Sequence, residues 1–298
     1  MTRRTVLRGL PLLLALPRLS QAQETWVPAG HPLNDPSTCL GWWLTTPLNG
    51  STLWRDLLHQ RVGTLTSMAG LTSASSGLRR RTSRPGGWGH IAFDGTNDTV
   101  VFPDLLNNPT AISVSLWLRT TLRVQNQGIL TRTSEIAGAS PGWYLMLHDD
   151  PWAGSLGWWV QTNGNSAYAG LEHTASVADD RWHHVVATAA VSAGAWSFTL
   201  WIDGRDAGAS LNTLGTITTL STATLPRLGA FGNGSDPWLG AVDDVRLYNR
   251  VLSASAARLL YADSRLGYPT LLTPGPTVAY AIPPSIPTVK LPSIFFSP

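Results

Sequence analysis

Cysteine is almost missing from this chain. Cys39 is the only one in 298 residues, so no disulfide can form within it and the fold must be held by burial. Glutamate is nearly as scarce: Glu24, Glu135 and Glu172 stand alone, far apart from one another. Charged residues make up 13% of the chain, whereas the 43% that are apolar suffice for a sizeable core. The apolar run Leu10-Pro11-Leu12-Leu13-Leu14-Ala15-Leu16 is far short of the ~20 residues a membrane helix needs, so no transmembrane segment is expected. Strands do not alternate with helices in a βαβ rhythm, and no repeat recurs at solenoid spacing.

The formal charge of +3 is modest, and Arg3, Arg4, Arg8 and Arg18 carry much of it. These arginines sit in a stretch that reads as an export leader over 1–22, ending in the small-residue pattern Ser20-Gln21-Ala22. Thr2-Arg3-Arg4-Thr5-Val6-Leu7-Arg8 resembles a twin-arginine signal, which predicts a periplasmic or extracellular location. The basic run Arg79-Arg80-Arg81-Thr82-Ser83-Arg84-Pro85-Gly86-Gly87 has no interleaved aromatics and reads as a solvated connector. No nucleic-acid partner is expected.

From about 38 to 252 the chain reads as strands. Ile112, Val114, Leu116 and Leu118 share one face of an alternating run, and Ser197–Asp203 alternates up to an Asp203-Gly204 turn. The single credible helix follows Leu252: Ser253 caps it, Ala254 to Ala262 favour it, and Gly267 lies beyond its end. From Pro269 to Pro298 the chain is Pro-rich and nearly chargeless, an extended tail that could dock on a protein partner.

The order of short motifs resembles a known family. Leu40-Gly41-Trp42-Trp43-Leu44 and Arg55-Asp56-Leu57 come first, followed by Gly63-Thr64-Leu65-Thr66, Phe93-Asp94-Gly95 and Ser115-Leu116-Trp117. Trp182-His183-His184-Val185, Leu200-Trp201-Ile202-Asp203-Gly204 and the closing Val242–Tyr248 strand complete the series. Over 38–268 this is similar to laminin-G-like domains of the concanavalin A-like lectin and glucanase family. The resemblance implies an all-β jelly-roll sandwich of two antiparallel sheets with one short C-terminal helix. It also implies a structural calcium: Asp243 would supply a carboxylate and Gly95 a backbone carbonyl, a donor set that suits a hard cation. The alternative is that Asp243 and Asp244 cap a turn or pair with Arg246.

This sandwich hosts glycosidases, which need two carboxyl groups flanking the scissile bond. No strand here carries spaced carboxylates, and the adjacent pairs Asp149-Asp150 and Asp179-Asp180 would face opposite ways within a strand. Gly138-Ala139-Ser140-Pro141-Gly142 matches a nucleophile-elbow string, but Pro141 has no N–H to donate to an oxyanion. His183 and His184 point to opposite faces and so cannot form a metal pair. No catalysis is expected.

Binding remains, and the 14 tryptophans direct attention to it. Core packing accounts for Trp43, Trp117, Trp182 and Trp201. Trp158 and Trp159 alternate, so at most one is available to a ligand. Trp152, beside Asp149, and Trp238, beside Asn233 and Asp236, lie in polar turns and read as sugar-stacking candidates with hydrogen-bonding neighbours. A plug under a loop or a protein contact would use the same residues. The expected function is a non-catalytic, exported module that binds a glycan or cell-surface polymer. The alternative is a structural or protein-interaction subunit, such as a cell-surface or virion decoration, that uses the sandwich and the tail.

Overall fold

A computed structural model describes residues 33–45, 53–68, 77–79, 84–87, 89–123, 125–136, 140–149, 151–164 and 166–266. The expected leader over 1–22, the Pro-rich stretch 269–298, Gly267, Asp150 and residues 80–83 of the basic run lie outside the described residues. In chain order the strands are β1 (Cys39–Trp43), β2 (Leu53–Arg55), β3 (Val62–Thr66), β4 (Gly77–Arg79), β5 (His90–Asp94), β6 (Thr99–Val101), β7 (Ala111–Arg119) and β8 (Gln127–Thr131). There follow β9 (Gly142–Leu147), β10 (Leu156–Asn163), β11 (Ala167–Glu172), β12 (His183–Ser192), β13 (Ala195–Ile202), β14 (Arg205–Asp206), β15 (Ser210–Leu214), β16 (Arg227–Leu228) and β17 (Leu239–Tyr248). Helix α1 (Ala254–Arg265) comes last.

The strands form two antiparallel sheets. One has eight strands, in the order β14-β13-β12-β7-β17-β5-β4 with β1 paired to β17. The other has nine, in the order β15-β11-β10-β9-β8-β16-β6-β3-β2. Strands distant in sequence lie side by side, β17 between β7 and β5, as the jelly roll requires. Inward residues of both sheets meet in one core: Ile112, Val114, Leu116 and Leu118 from one side, and Trp143, Leu145, Trp158 and Val160 from the other. Each buried tryptophan removes ~150–250 Å² from water, about 4–6 kcal/mol at ~25 cal/mol/Å². That exceeds the ~2–4 kcal/mol typical of a disulfide, so burial takes the place of cross-links.

Short-range chemistry sets the turns. Asp203 and Gly204 both have positive φ, +52° and +73°, and join Ile202 to its partner Arg205 in a two-residue hairpin. Asp56 is fully buried, and its carboxylate accepts N–H bonds from Trp42, Leu58, His59 and Arg61, which ties β1 to the turn after β2. Asp98 accepts the Asp94 N–H at 2.8 Å and closes the turn between β5 and β6. Ser253 caps α1 by accepting the Ala256 N–H.

The outward face of the eight-stranded sheet is roofed. Trp42, Val186, Trp201 and Tyr248 pack there with Leu33 from before β1 and with Ala257 and Leu260 of α1. A bulge in β17 sets Asp243 and Arg246, three residues apart, opposite Trp117 and Ser115, two apart, with Asp244 at φ +55°. Asp243, Asp244 and Arg246 are all buried. Arg84 Nε donates to Asp243 at 2.7 Å, and Trp42 Nε1 and Arg246 Nε donate to Asp244 at 2.7 and 3.2 Å.

Candidate functional site

The outward face of the nine-stranded sheet carries its own buried cluster, Tyr144, Met146, Trp159 and Phe231, and strand register assembles it. Directly opposed residues of an antiparallel pair share a face. Tyr144 on β9 opposes Trp159 on β10, which opposes Gly170 on β11, which opposes Asn212 on β15. The next outward row is Met146, Gly157, Glu172 and Ser210. Together these strands and the β9–β10 turn form a groove of about 300 Å³. Asn126, Ile136, Tyr144, Met146, His148, Asp149, Trp152, Trp159, Gly164, Tyr168, Glu172 and Asn212 line it.

Trp159 lies at the centre of these rings. Tyr144 stacks near it at 6.5 Å between centroids, while Tyr168 and His148 meet it edge-on at 5.7 and 6.3 Å. Two glycines let the indole lie against the sheet. A Cβ at Gly170 would come within 2.5 Å of the ring, and one at Gly157 within 2.4 Å of both Trp159 Nε1 and His148 Nε2.

Polar groups edge this surface. Asn212 Nδ2 donates to Glu172 at 3.3 Å, and the Asp149 backbone N–H donates to Asn126 at 3.3 Å. Burial holds the His148 pKa below the usual histidine value, against the pull of Glu172 and Asp149, so its ring is neutral at pH 7. Burial also raises the Tyr144 phenol pKa, keeping it protonated. Among the described residues the groove lining therefore includes aromatic rings, two carboxylates, two amides and a neutral imidazole, and no Lys or Arg.

The structure treats the sequence candidates unequally. Trp152 is 39% exposed, stands edge-on 6.1 Å from His148, and lines the groove together with Asp149. Trp238 requires correction. It is 1% exposed and sits in the central core, with its backbone N–H donating to the Gly229 carbonyl, so it offers no stacking face. The polar turn before it ends at Asp236, with φ +51°, and the chain then turns Trp238 inward between the sheets. Asn233 and Asp236 also fall outside the groove lining. The Asn233 side chain accepts the Ser235 N–H, and the Asp236 carbonyl accepts that of Gly128, so both shape the loop.

The calcium pairing of Asp243 with Gly95 is corrected too. Leu239 opposes Asp94 and Val242 opposes Ile91, which leaves Gly95 five residues along the ladder from Asp243, ~16 Å at ~3.3 Å per residue. The Asp243 oxygens are instead occupied by the Thr45 N–H at 2.9 Å and by Arg84. A guanidinium holds the position a cation would take, and these two residues do not fit a shared ion. Among the described residues, no group of three or more His, Cys, Asp or Glu side chains could hold a metal. The alternative, pairing with Arg246, holds for Asp244, whereas Asp243 pairs with Arg84.

The other chemical lookalikes are structural. Ser140 is buried and shares hydrogen bonds with Thr133 and Ser134. His184 is buried against Ser115, while His183 lies between Asp179 and Asp203. Trp182 is only half-buried, edge-on to His90.

A family model described as the concanavalin A-like lectin/glucanases superfamily matches residues 94–257, more than half of the chain. No curated protein sequence matches it. Among solved structures, it is similar to domain 4 of AbnA, a GH43 extracellular arabinanase from Geobacillus stearothermophilus, solved with arabinotriose. That match has a TM-score of 0.53 and 16% identity, covering 75% of this chain and 98% of that one. The binding domain of Paraclostridial Mosquitocidal Protein 1 matches with a TM-score of 0.51 and 14% identity over 76% of this chain and 52% of that one. The ligand binding domain of Botulinum neurotoxin serotype D, solved with N-acetylneuraminic acid, matches with a TM-score of 0.52 and 15% identity over 77% and 51%. The chain thus spans about half the length of the two toxin chains. Among the described residues, no helix is long and apolar enough to cross a membrane. With two antiparallel sheets in jelly-roll order and a matching family model, this chain belongs to the concanavalin A-like lectin/glucanase superfamily.

Proposed function

We propose that this protein is a glycan-binding module that holds sugar against the aromatic groove of its nine-stranded sheet. The observation that carries this reading is the exposed Trp152, which lines a groove together with the buried rings of Trp159 and Tyr144, the half-buried Tyr168, and Asp149, Glu172, Asn126 and Asn212. Aromatic faces stack on the C–H face of a sugar ring, and carboxylates and amides bind its hydroxyls. The arabinotriose and N-acetylneuraminic acid bound to similar domains support a carbohydrate ligand. We read the groove as binding without hydrolysis. Asp149 and Glu172 reach it from a turn and from β11, not from alternate positions of one strand. An exported location goes with this reading, supported by the leader-like first residues.

Titration of intrinsic tryptophan fluorescence with a panel of polysaccharides tests the proposal. A saturable change that is lost in Trp152→Ala, without release of reducing sugar, supports it. No change across the panel from a folded protein refutes it. One observation favours a protein-contact reading: Leu211 and Leu214, on the edge strand β15, are 60% and 46% exposed. That reading predicts a concentration-dependent mass that Leu211→Lys abolishes.

A further inference from the structure

The groove carries negative charge that its own lining does not balance. Asp149 and Glu172 both line it, and among the described residues the lining holds no Lys or Arg. Elsewhere Asp104, Asp179, Asp180, Asp243 and Asp244 each pair with an arginine. Glu172 instead accepts the Asn212 amide N–H at 3.3 Å. His148 lies within reach of both charges, yet burial keeps its ring neutral at pH 7, so it does not offset them. The whole chain has a formal charge of +3, so the negative groove is a local feature.

An aromatic ring accompanies each carboxylate. Trp152, 39% exposed, shares the β9–β10 turn with Asp149. The half-buried Tyr168 shares a face of β11 with Glu172, four residues on. Both rings belong to the same lining. A ring face and a carboxylate together suit an ammonium group, by cation–π attraction and a charge-assisted hydrogen bond. A hydroxyl makes only a neutral hydrogen bond there, and an acidic sugar meets like charge.

We propose that the groove prefers a glycan with free amino groups, a hexosamine polymer whose ammonium groups lie against Trp152 and Tyr168 and pair with Asp149 and Glu172. This rests on the glycan-binding reading above.

The test is calorimetric titration of the full chain with a glucosamine trimer and with its neutral N-acetylated counterpart. The titrations are run at about pH 6, below the ~7.7–8.0 of an α-amino group, so that the amines are charged. The amine trimer should bind at least about tenfold more tightly at low salt, and most of that advantage should vanish at about 0.5 M salt. Asp149→Asn and Glu172→Gln, each checked by thermal melt, should weaken the amine trimer about fivefold while leaving the neutral one within about twofold. Equal affinity for the two trimers overturns the preference and leaves the glycan reading intact. So does an advantage that survives in both folded variants, because the carboxylates would then not be its source. If neither trimer binds but another polysaccharide does, this inference alone falls. If no polysaccharide binds, the glycan reading falls, and this inference with it.

Discussion

The two outward faces of this sandwich obey one alternation rule and end in opposite states. On the eight-stranded sheet the outward tryptophans Trp42, Trp117 and Trp201 are covered. Helix α1 lies over them, Arg246 sits 3.8 Å from the Trp42 ring, and Trp117 Nε1 donates to Ser264 of the helix. On the nine-stranded sheet Trp159, Tyr144 and Tyr168 line a groove with no helix over it among the described residues. Aromatic residues facing outward thus have two uses, and the covering element decides between them. Where polar partners complete the layer, the rings contribute stability. Where no helix among the described residues covers the layer, a groove remains beside the exposed Trp152 that a ligand can reach.

The largest expected effect lies on the covered face. Asp243→Ala strands the buried Arg84 without its carboxylate and should cost about 3–5 kcal/mol in urea unfolding, with sugar affinity unchanged in the folded fraction. A loss under about 1 kcal/mol would mean that the roof is not held by this pair.

Acid should act on that same face. Burial depresses the His184 pKa from 6.5 to about 4, so it is neutral in the folded protein while the unfolded chain takes up a proton near 6.5. Between these values the unfolded chain binds more protons at this position, so the His184 contribution to stability falls by on the order of 3 kcal/mol as pH drops from about 6.5 to 4, while Asp243, whose pKa burial raises to about 6, works in the opposite direction. His183, the neighbour of His184, has the opposite sign to it. Hydrogen bonding to Asp203 leads in raising its pKa, so its contribution is complete below 6.5 and fades as pH rises through the raised value. Melting curves across this range, repeated on His184→Gln, separate the two: the acid-side slope should flatten in the variant and persist if other groups cause it.

On the open face the expectation reverses. Trp152→Ala should leave stability within about 0.5 kcal/mol, because the side chain is well exposed, yet weaken glycan binding about tenfold, ~1.4 kcal/mol. Equal affinity in the variant would move the ligand elsewhere. The smallest effect expected is none: with Arg84 on Asp243, EDTA should not shift the melting temperature, and a clear drop would restore an ion to the covered face.

Much of the architecture was legible in the chain because it rests on local chemistry. The alternation of Ile112 to Leu118, the Asp203-Gly204 turn and the Ser253 cap each depend on a few neighbours, and each stands in the structure as read. The groove was legible only in part. Trp152 and Asp149 were picked out by their polar turn, and they do line it. In the sequence Trp159 is only one half of an alternating pair, because apolar residues on both faces of β10 blur the distinction between core and surface. Tyr144 and Tyr168 carried a usable signal, an aromatic on the alternate face from Trp143, Leu145 and Ala169, but their convergence depends on register across three strands. Trp238 misled because a polar turn marks where the chain bends and leaves open which way the next side chain points. Asp243 misled because Arg84, distant in sequence, supplies its positive charge.

The most direct test of the central claim, that the open face is the ligand face, is the indole N–H spectrum of the 14 tryptophans during titration with a neutral polysaccharide. The signals of Trp152 and Trp159 should shift saturably, while those of Trp42, Trp117 and Trp201 under the roof stay in place. Shifts confined to the roofed set, or spread equally over both faces, would contradict it.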